Sequence, residues 1–357
     1  VPHTPSRLDR PRLVTFGDDA QTSNLTRAAE PYGDGEGGGV GLGADTRIRD
    51  AAARGIAETD QSHPFVRASS RRSNSVAVVI TEPTVRLFAD PFFSTLLKGI
   101  HDALAERSML MALLTPQSAR EMAMAQCYLL ANHADGAILA SLHGDNQLPN
   151  RLREAGIPTV VCGTPARGIV ASYVDSDNRQ GATMAVQHLI SLGRRKIATI
   201  SGNLDMTTAV ERQQGYRDAL VTAGIPLEPT LEEVADYLPN RAHMAMERLL
   251  LNHPDVDAVF AASDLMAASA IRVLHQARKR IPEDVAVVGF DDSPTARTTR
   301  PSLTSIRQPI EEIGREAVNI LLREMQEPEK TTRKFIFATD LVARESTIGA
   351  EAAGTAD

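Results

Sequence analysis

Few residues of this 357-residue chain stand in patterns that do covalent chemistry. No P-loop, HExxH, CxxC or GxSxG pattern occurs, and nothing pairs a nucleophile with its base. His101, His133, His143, His188, His243, His253 and His275 are scattered without metal-ligand spacing and read as helix-surface residues. The glycine cluster GGGVGLG at 37–43 has a G-x-G spacing, but no strand precedes it and no apolar helix directly follows, so it reads as flexible linker. What does recur is a polar stretch directly behind a short apolar run: residues 82–93, Ser141, Gly163, residues 202–208, Ser263 with Asp264, and Asp291 with Asp292. These positions are polar and acidic with a few aromatics, and no loop among them concentrates phosphate-binding glycines. They suit hydrogen bonding to a neutral polyol better than to a nucleotide, and they imply no metal and no cofactor.

The elements that would position them can be read from the alternation of runs. Short β-branched and apolar segments at 75–81, 135–141, 158–163, 196–202, 258–263 and 285–292 alternate with helical stretches at 92–107, 119–131, 181–192, 210–223, 241–251, 264–277 and 309–325. Continuous apolar strands separated by helices predict an α/β class with doubly wound parallel sheets covered on both faces. In such sheets a ligand sits outside the carboxyl ends of the strands, which is where the polar stretches lie. Phe88 and Phe290 read as core.

Composition changes near residue 75. Residues 1–75 are rich in Gly, Pro, Asp and Arg, with seven glycines between Gly33 and Gly43, and hold too little apolar surface to offset the entropy of ordering them. Much of 1–45 is expected to be irregular, with a short helix at 46–58. The whole chain has a net charge of -7, so any DNA binding must come from a local patch. Residues 1–75 hold ten arginines, no lysine and ten acidic residues, and basic residues cluster only at Arg67, Arg71 and Arg72. Two cysteines, Cys127 and Cys162, exclude a disulfide scaffold and fit a reducing compartment. No apolar run approaches the roughly 18–20 residues that span a bilayer, and no secretory signal pattern is evident. Cytoplasmic location without membrane contact is the expectation.

Five segments carry more specific information: ADPFFSTLLKGIHDALAERS (89–108), VDSDNRQGATMAVQHLISLGRRKIATISG (174–202), ERQQGYRDALVTAGI (211–225), AASDLMAASAIRVL (261–274) and IPEDVAVVGFDDSPTARTTRPSLTSIRQPIEEIGREAVNILL (281–322). In order and spacing they resemble the LacI/GalR family of bacterial transcriptional regulators over residues 73–349. The resemblance implies a periplasmic-binding-protein type I-like core at 76–349, made of two Rossmann-like lobes joined by three crossovers. The N-terminal lobe would take 76–173 with 306–325, the C-terminal lobe 174–305 with 335–348, and 350–357 would form a tail. It also implies a homodimer, operator DNA as a partner, and a small-molecule effector such as a sugar whose binding shifts the lobe arrangement.

Carried over by position, the effector site would comprise Asp90, Phe92, Phe93, Ser141, Gly163, Arg212, Tyr237, Ser263, Asp264 and Asp291. Carboxylates and an arginine fork suit vicinal hydroxyls, and an aromatic face suits the apolar side of a sugar. Asp90 and Asp264 each precede a helix and equally fit N-capping. Two departures bear on the ligand: Gly163 stands where many sugar-binding members have aspartate, and Ser263 where many have asparagine, pointing to a bulkier effector, a less hydroxylated one, or one that is not a sugar. A larger departure is the N-terminus, where the family's helix-turn-helix motif is not found in 1–75. The hinge falls at 63–75, with Ser69 where a minor-groove leucine is expected and Arg67, Arg71 and Arg72 as its basic residues. Either the headpiece is altered, as by a change of reading frame, and operator binding is weak, or an unusual headpiece functions. Readings from other classes are a stand-alone solute-binding protein and an enzyme on a Rossmann-like fold; the absence of signal and catalytic patterns speaks against each.

Overall fold

The computed structural model describes residues 73–327 and 332–353. The expectations for 1–45, the helix at 46–58 and the hinge residues Arg67, Ser69, Arg71 and Arg72 lie outside the described residues, as does the end of the tail. The strands in chain order are β1 (Ser75–Ile80), β2 (Leu110–Leu114), β3 (Gly136–Ala140), β4 (Thr159–Cys162), β5 (Ser172–Ser176), β6 (Ile197–Ser201), β7 (Glu232–Val234), β8 (Ala258–Ala261), β9 (Ala286–Asp291), β10 (Thr304–Arg307), β11 (Lys334–Phe337) and β12 (Asp340–Val342). They form two six-stranded sheets, β11-β5-β4-β3-β1-β2 and β12-β10-β9-β8-β6-β7. Every pairing is parallel except β10 with β12.

Parallel strands need crossover helices, and these cover both faces of each sheet. On β1, Val76, Val78 and Ile80 face Leu96, Ile100, Ile313 and Leu321, while Ala77 and Val79 face Leu129, Leu148 and Leu152. The second sheet does the same: Phe260, Val288 and Phe290 pack toward Val186, Leu189 and Tyr216, and Val259 and Val287 toward Met246, Met266 and Leu274. Each of the six expected runs contains a strand, and each of the seven expected helical stretches overlaps an observed helix.

The lobe boundaries differ from those expected. Strand β5 completes the first sheet, and β11 pairs in parallel with it at Lys334–Tyr173 through Phe337–Ser176, so both belong to the first lobe. Expectation placed 335–337 in the second lobe. The chain therefore passes between lobes at Asp177, at Gln308 and Pro309, and at residues 338–339. Phe88 is a second correction: it is 78% exposed, whereas Phe290 is fully buried. An unforeseen helical turn, Thr84–Ala89, buries Arg86 and Leu87 and turns Val85 and Phe88, three residues apart, to one outer face.

The first lobe depends on one close approach. Helices Pro91–Ala105 and Ile310–Gln326 touch through backbone, because a Cβ on Gly99 would stand 2.1 Å from the Glu311 carbonyl oxygen and one on Gly314 would stand 2.6 Å from that of Leu96. Gly99→Val should force these helices apart and cost about 3 kcal/mol by urea denaturation; stability equal to the unmodified chain would contradict this packing.

Candidate functional site

The two lobes border a cleft at the carboxyl ends of their strands, the place where such sheets hold small-molecule ligands. The first lobe lines it with Arg86, Asp90, Phe92, Ser141, Gly163, Thr164 and Asp175. The second supplies Asp205, Met206, Arg212, Tyr237, Ser263 and Asp291, and the crossover residue Gln308 completes it.

Backbone geometry turns several of these side chains into the cleft. Ser141 (φ 53°), Tyr237 (φ 59°) and Asp291 (φ 113°) each follow or end a strand in a left-handed conformation that side-chain-bearing residues seldom adopt, and Gly163 (φ 110°) takes it directly after β4 as only glycine does freely. Strain of this kind persists only where surrounding contacts fix it. At Asp291 they come from the next residue: the Asp292 carboxylate accepts from Arg307 Nε at 2.7 Å and from Arg344. At Tyr237 they come from Gly202, where a Cβ would lie 2.0 Å from the tyrosine ring, so the glycine behind β6 makes room for it.

A buried polar relay links the walls. Asp175, at the end of β5, accepts from the Thr164 amide (2.7 Å) and hydroxyl (2.9 Å), and from Asn178 Nδ2 at 3.0 Å. Asn178 Oδ1 accepts in turn from Arg212 Nε at 2.8 Å. Arg212 Nη1 donates to the Ala262 carbonyl at 2.6 Å and lies 3.7 Å from Asp291 Oδ1, with the guanidinium stacked 3.7 Å above the Phe290 ring. Asp291 Oδ1 also accepts from Gln308 Nε2 at 2.6 Å. Burial raises the Asp90, Asp175 and Asp291 carboxyls above the usual range; at Asp291 the adjacent Arg212 opposes the rise. With Arg86 and Arg212 set among four aspartates, the lining offers donors and acceptors together, as a polyol requires.

Of the expected site residues, Asp90, Phe92, Ser141, Gly163, Arg212, Tyr237, Ser263 and Asp291 all line this cavity. Phe93 does not: it is fully buried in the first-lobe core, because the helix turn that points Phe92 outward points its neighbour inward. Asp264 does not either. It is 1% exposed, accepts from the Ser293 amide and the Ser305 hydroxyl at 2.6 Å each, and its carboxyl is pushed up to about 7 by burial; it holds the segment behind β9 rather than facing the cleft. The cap of that helix is Ser263, which accepts from the Met266 amide. Asp90 does both, lining the cavity while accepting from the Phe92 amide at 3.0 Å.

Sequence reasoning missed Asp175, Gln308, Arg86 and His143. His143 is not a helix-surface residue but lies in the loop behind β3, with Nε2 3.1 Å from Glu82 Oε1 and Nδ1 2.9 Å from Asp205 Oδ1 of the other lobe. Both ring nitrogens face carboxylates, so the doubly protonated ring satisfies them best, and hydrogen bonding to Glu82 foremost raises its pKa.

A two-lobed core with a polar cleft at the strand ends defines a periplasmic-binding-protein-like effector module, and residues 186–347 match the family model of the periplasmic binding protein-like domain. The chain is 44% identical over 280 residues to the HTH-type transcriptional regulator CelR of Thermobifida fusca, covering 78% of this chain and 82% of that protein. It is 31% identical over 280 residues to the ribose operon repressor of Escherichia coli K12, covering 77% and 82%. Among solved structures, a transcriptional regulator CelR–cellobiose complex aligns with TM-score 0.74 and 42% identity over 85% of this chain and 92% of that one. A LacI family transcriptional regulator from Enterococcus faecium with bound ribose aligns with TM-score 0.67 and 28% identity over 77% and 99%. The chain belongs to the LacI family of transcriptional regulators.

The His143 contact makes a prediction about pH. Because its folded pKa is raised, its stabilising contribution is complete below the unshifted value of about 6.5 and is lost as pH rises through the higher folded value. Melting temperatures of the unmodified chain and His143→Gln should therefore differ more at about pH 6 than at about pH 8.5; an equal difference at both would show that His143 does not titrate between these carboxylates.

Proposed function

We propose that this chain is a repressor whose cleft takes a β-linked glucose disaccharide of the cellobiose class, and that occupancy alters operator affinity by changing the lobe arrangement. The observation that carries this reading is the open wall at Gly163. Only the Thr208 methyl lies within 4 Å of a Cβ placed there, at 3.8 Å, so the cleft extends where an aspartate side chain would close it. That favours the bulkier-ligand alternative over a less hydroxylated one, since the remaining lining keeps four aspartates and two arginines. Likeness to CelR, and to a structure of it with cellobiose, supports the same choice over ribose.

In this reading Arg212 and Asp291 bind vicinal hydroxyls, Phe92 and Tyr237 offer apolar faces to the rings, and Asp90, Ser141 and Ser263 complete the polar wall. Binding, not turnover, is the role of the cleft, in a cytoplasmic regulator. Homodimerisation has surface available on the first lobe, where Val85, Phe88, Leu110 and Met124 are all more than half exposed.

Ligand binding stabilises a fold by mass action, by about 2.7 kcal/mol at a hundred times Kd. Cellobiose should raise the melting temperature, and ribose at the same concentration should not. Asp291→Ala should abolish the calorimetric signal for cellobiose while leaving a cooperative unfolding transition. A shift with ribose alone would replace the effector, and unchanged affinity in Asp291→Ala would remove that residue from the site.

A further inference from the structure

Two buried polar atoms at the cavity have no partner among the described residues: Nε of Arg86 and the hydroxyl of Tyr237. Arg86 is 9% exposed and Tyr237 4%, and both line the cavity, one from each lobe. A buried donor left unpaired costs as much as a lost hydrogen bond, so two of them on residues that line one cavity point to a ligand group that satisfies both. They are also neighbours. The Arg86 guanidinium carbon stands 4.6 Å from the Tyr237 ring centroid, across the gap between lobes, and 5.5 Å from that of Phe93.

We propose that Arg86 is a specificity-determining effector contact which, with Tyr237, clamps a single sugar hydroxyl from both lobes. The inference rests on the sugar reading above and assigns part of that site to a residue outside the expected set. The chemistry closes on one group: a hydroxyl oxygen has two lone pairs and accepts from both the Arg86 Nε–H and the Tyr237 O–H, leaving neither donor unpaired. Arg86 is held for this task. Its Nη1 is ion-paired with Oε1 of Glu82, which is 2% exposed and whose same oxygen is engaged by His143 Nε2 at 3.1 Å, while His143 Nδ1 reaches Asp205 on the second lobe. The turn Thr84–Ala89 that supplies Arg86 thus fixes Nη1 on Glu82 in a residue that lines the cavity, and leaves Nε–H without a partner among the described residues. A sugar lacking the clamped hydroxyl would leave both atoms unpaired again, the situation in which binding sites discriminate most strongly.

The test is calorimetric titration of cellobiose, cellotriose and glucose into the full chain, Arg86→Lys, Tyr237→Phe and the double variant. Arg86→Lys keeps the charge beside Glu82 but removes the Nε–H, and should weaken binding roughly tenfold or more. Tyr237→Phe should weaken it about 5- to 10-fold while melting no lower than the unmodified chain without sugar, because the lost hydroxyl leaves no partner behind. The double variant should lose less than the product of the single losses, as expected for two groups sharing one partner. If the unmodified chain binds one of these sugars and Arg86→Lys binds it within twofold or more tightly, the clamp is overturned while the effector reading stands. Independent, multiplicative losses would overturn the shared hydroxyl. An unmodified chain that binds none of the three sugars overturns the effector reading and the clamp with it.

Discussion

The cleft depends on one buried arginine. An arginine 94% removed from solvent is tolerated only if its donors are satisfied and its charge is balanced, and Arg212 meets both conditions with partners from three different parts of the fold. Asn178 begins the helix that follows the first crossover, Ala262 directly follows β8, and Asp291 ends the neighbouring strand β9, whose Phe290 supplies a ring face. Through Asn178 the arginine reaches Asp175 on the first sheet, and through Asp291 it reaches Gln308 on the second crossover. Two of the three interlobe passages are thereby tied to the wall of the cavity, so a ligand that bonds to Arg212 or Asp291 acts directly on the segments about which the lobes move.

That arrangement explains where strain is kept. Three of the nine left-handed non-glycine residues among those described, Ser141, Tyr237 and Asp291, lie on the cavity wall, while the two arginines on Asp292 and the space over Gly202 that the Tyr237 ring fills sit just behind it. Asp264, buried one layer further back, anchors the same loop through Ser293 and Ser305. A set of contacts that touches no ligand thus fixes the direction of those that face it.

How much of this could be read from the residues follows from the same physics. Fully buried strands such as β1 and β9 are continuous apolar runs and stand out at once. Strand β2 does not: LMALL is rich in good helix formers, and as an edge strand it is partly exposed, so neither composition nor periodicity marks it. β5, β7, β11 and β12, at three to five residues each, are too short to show a period. Arg212, Tyr237 and Asp291 were legible because family spacing carries them to strand and helix ends. Phe93 and Asp264 were misplaced because adjacent residues on a helix point in different directions, and spacing cannot say which one faces the cleft. Asp175, Gln308 and His143 gain their roles only through partners far away in sequence, and Arg86 through a helical turn that six residues do not announce.

The central claim is that a sugar in the cleft sets the arrangement of the two lobes. Burial pushes the Cys162 thiol up to about 12, leaving exposed Cys127 of the first lobe as the native thiol for labelling, and Gln276→Cys supplies an exposed one on the second. Pulsed electron-electron spin resonance between labels at 127 and 276, in protein diluted with unlabelled chain, reads the interlobe distance directly. Cellobiose should shift the distance distribution and narrow it to a single population. An identical distribution with saturating, calorimetrically verified cellobiose would contradict the account.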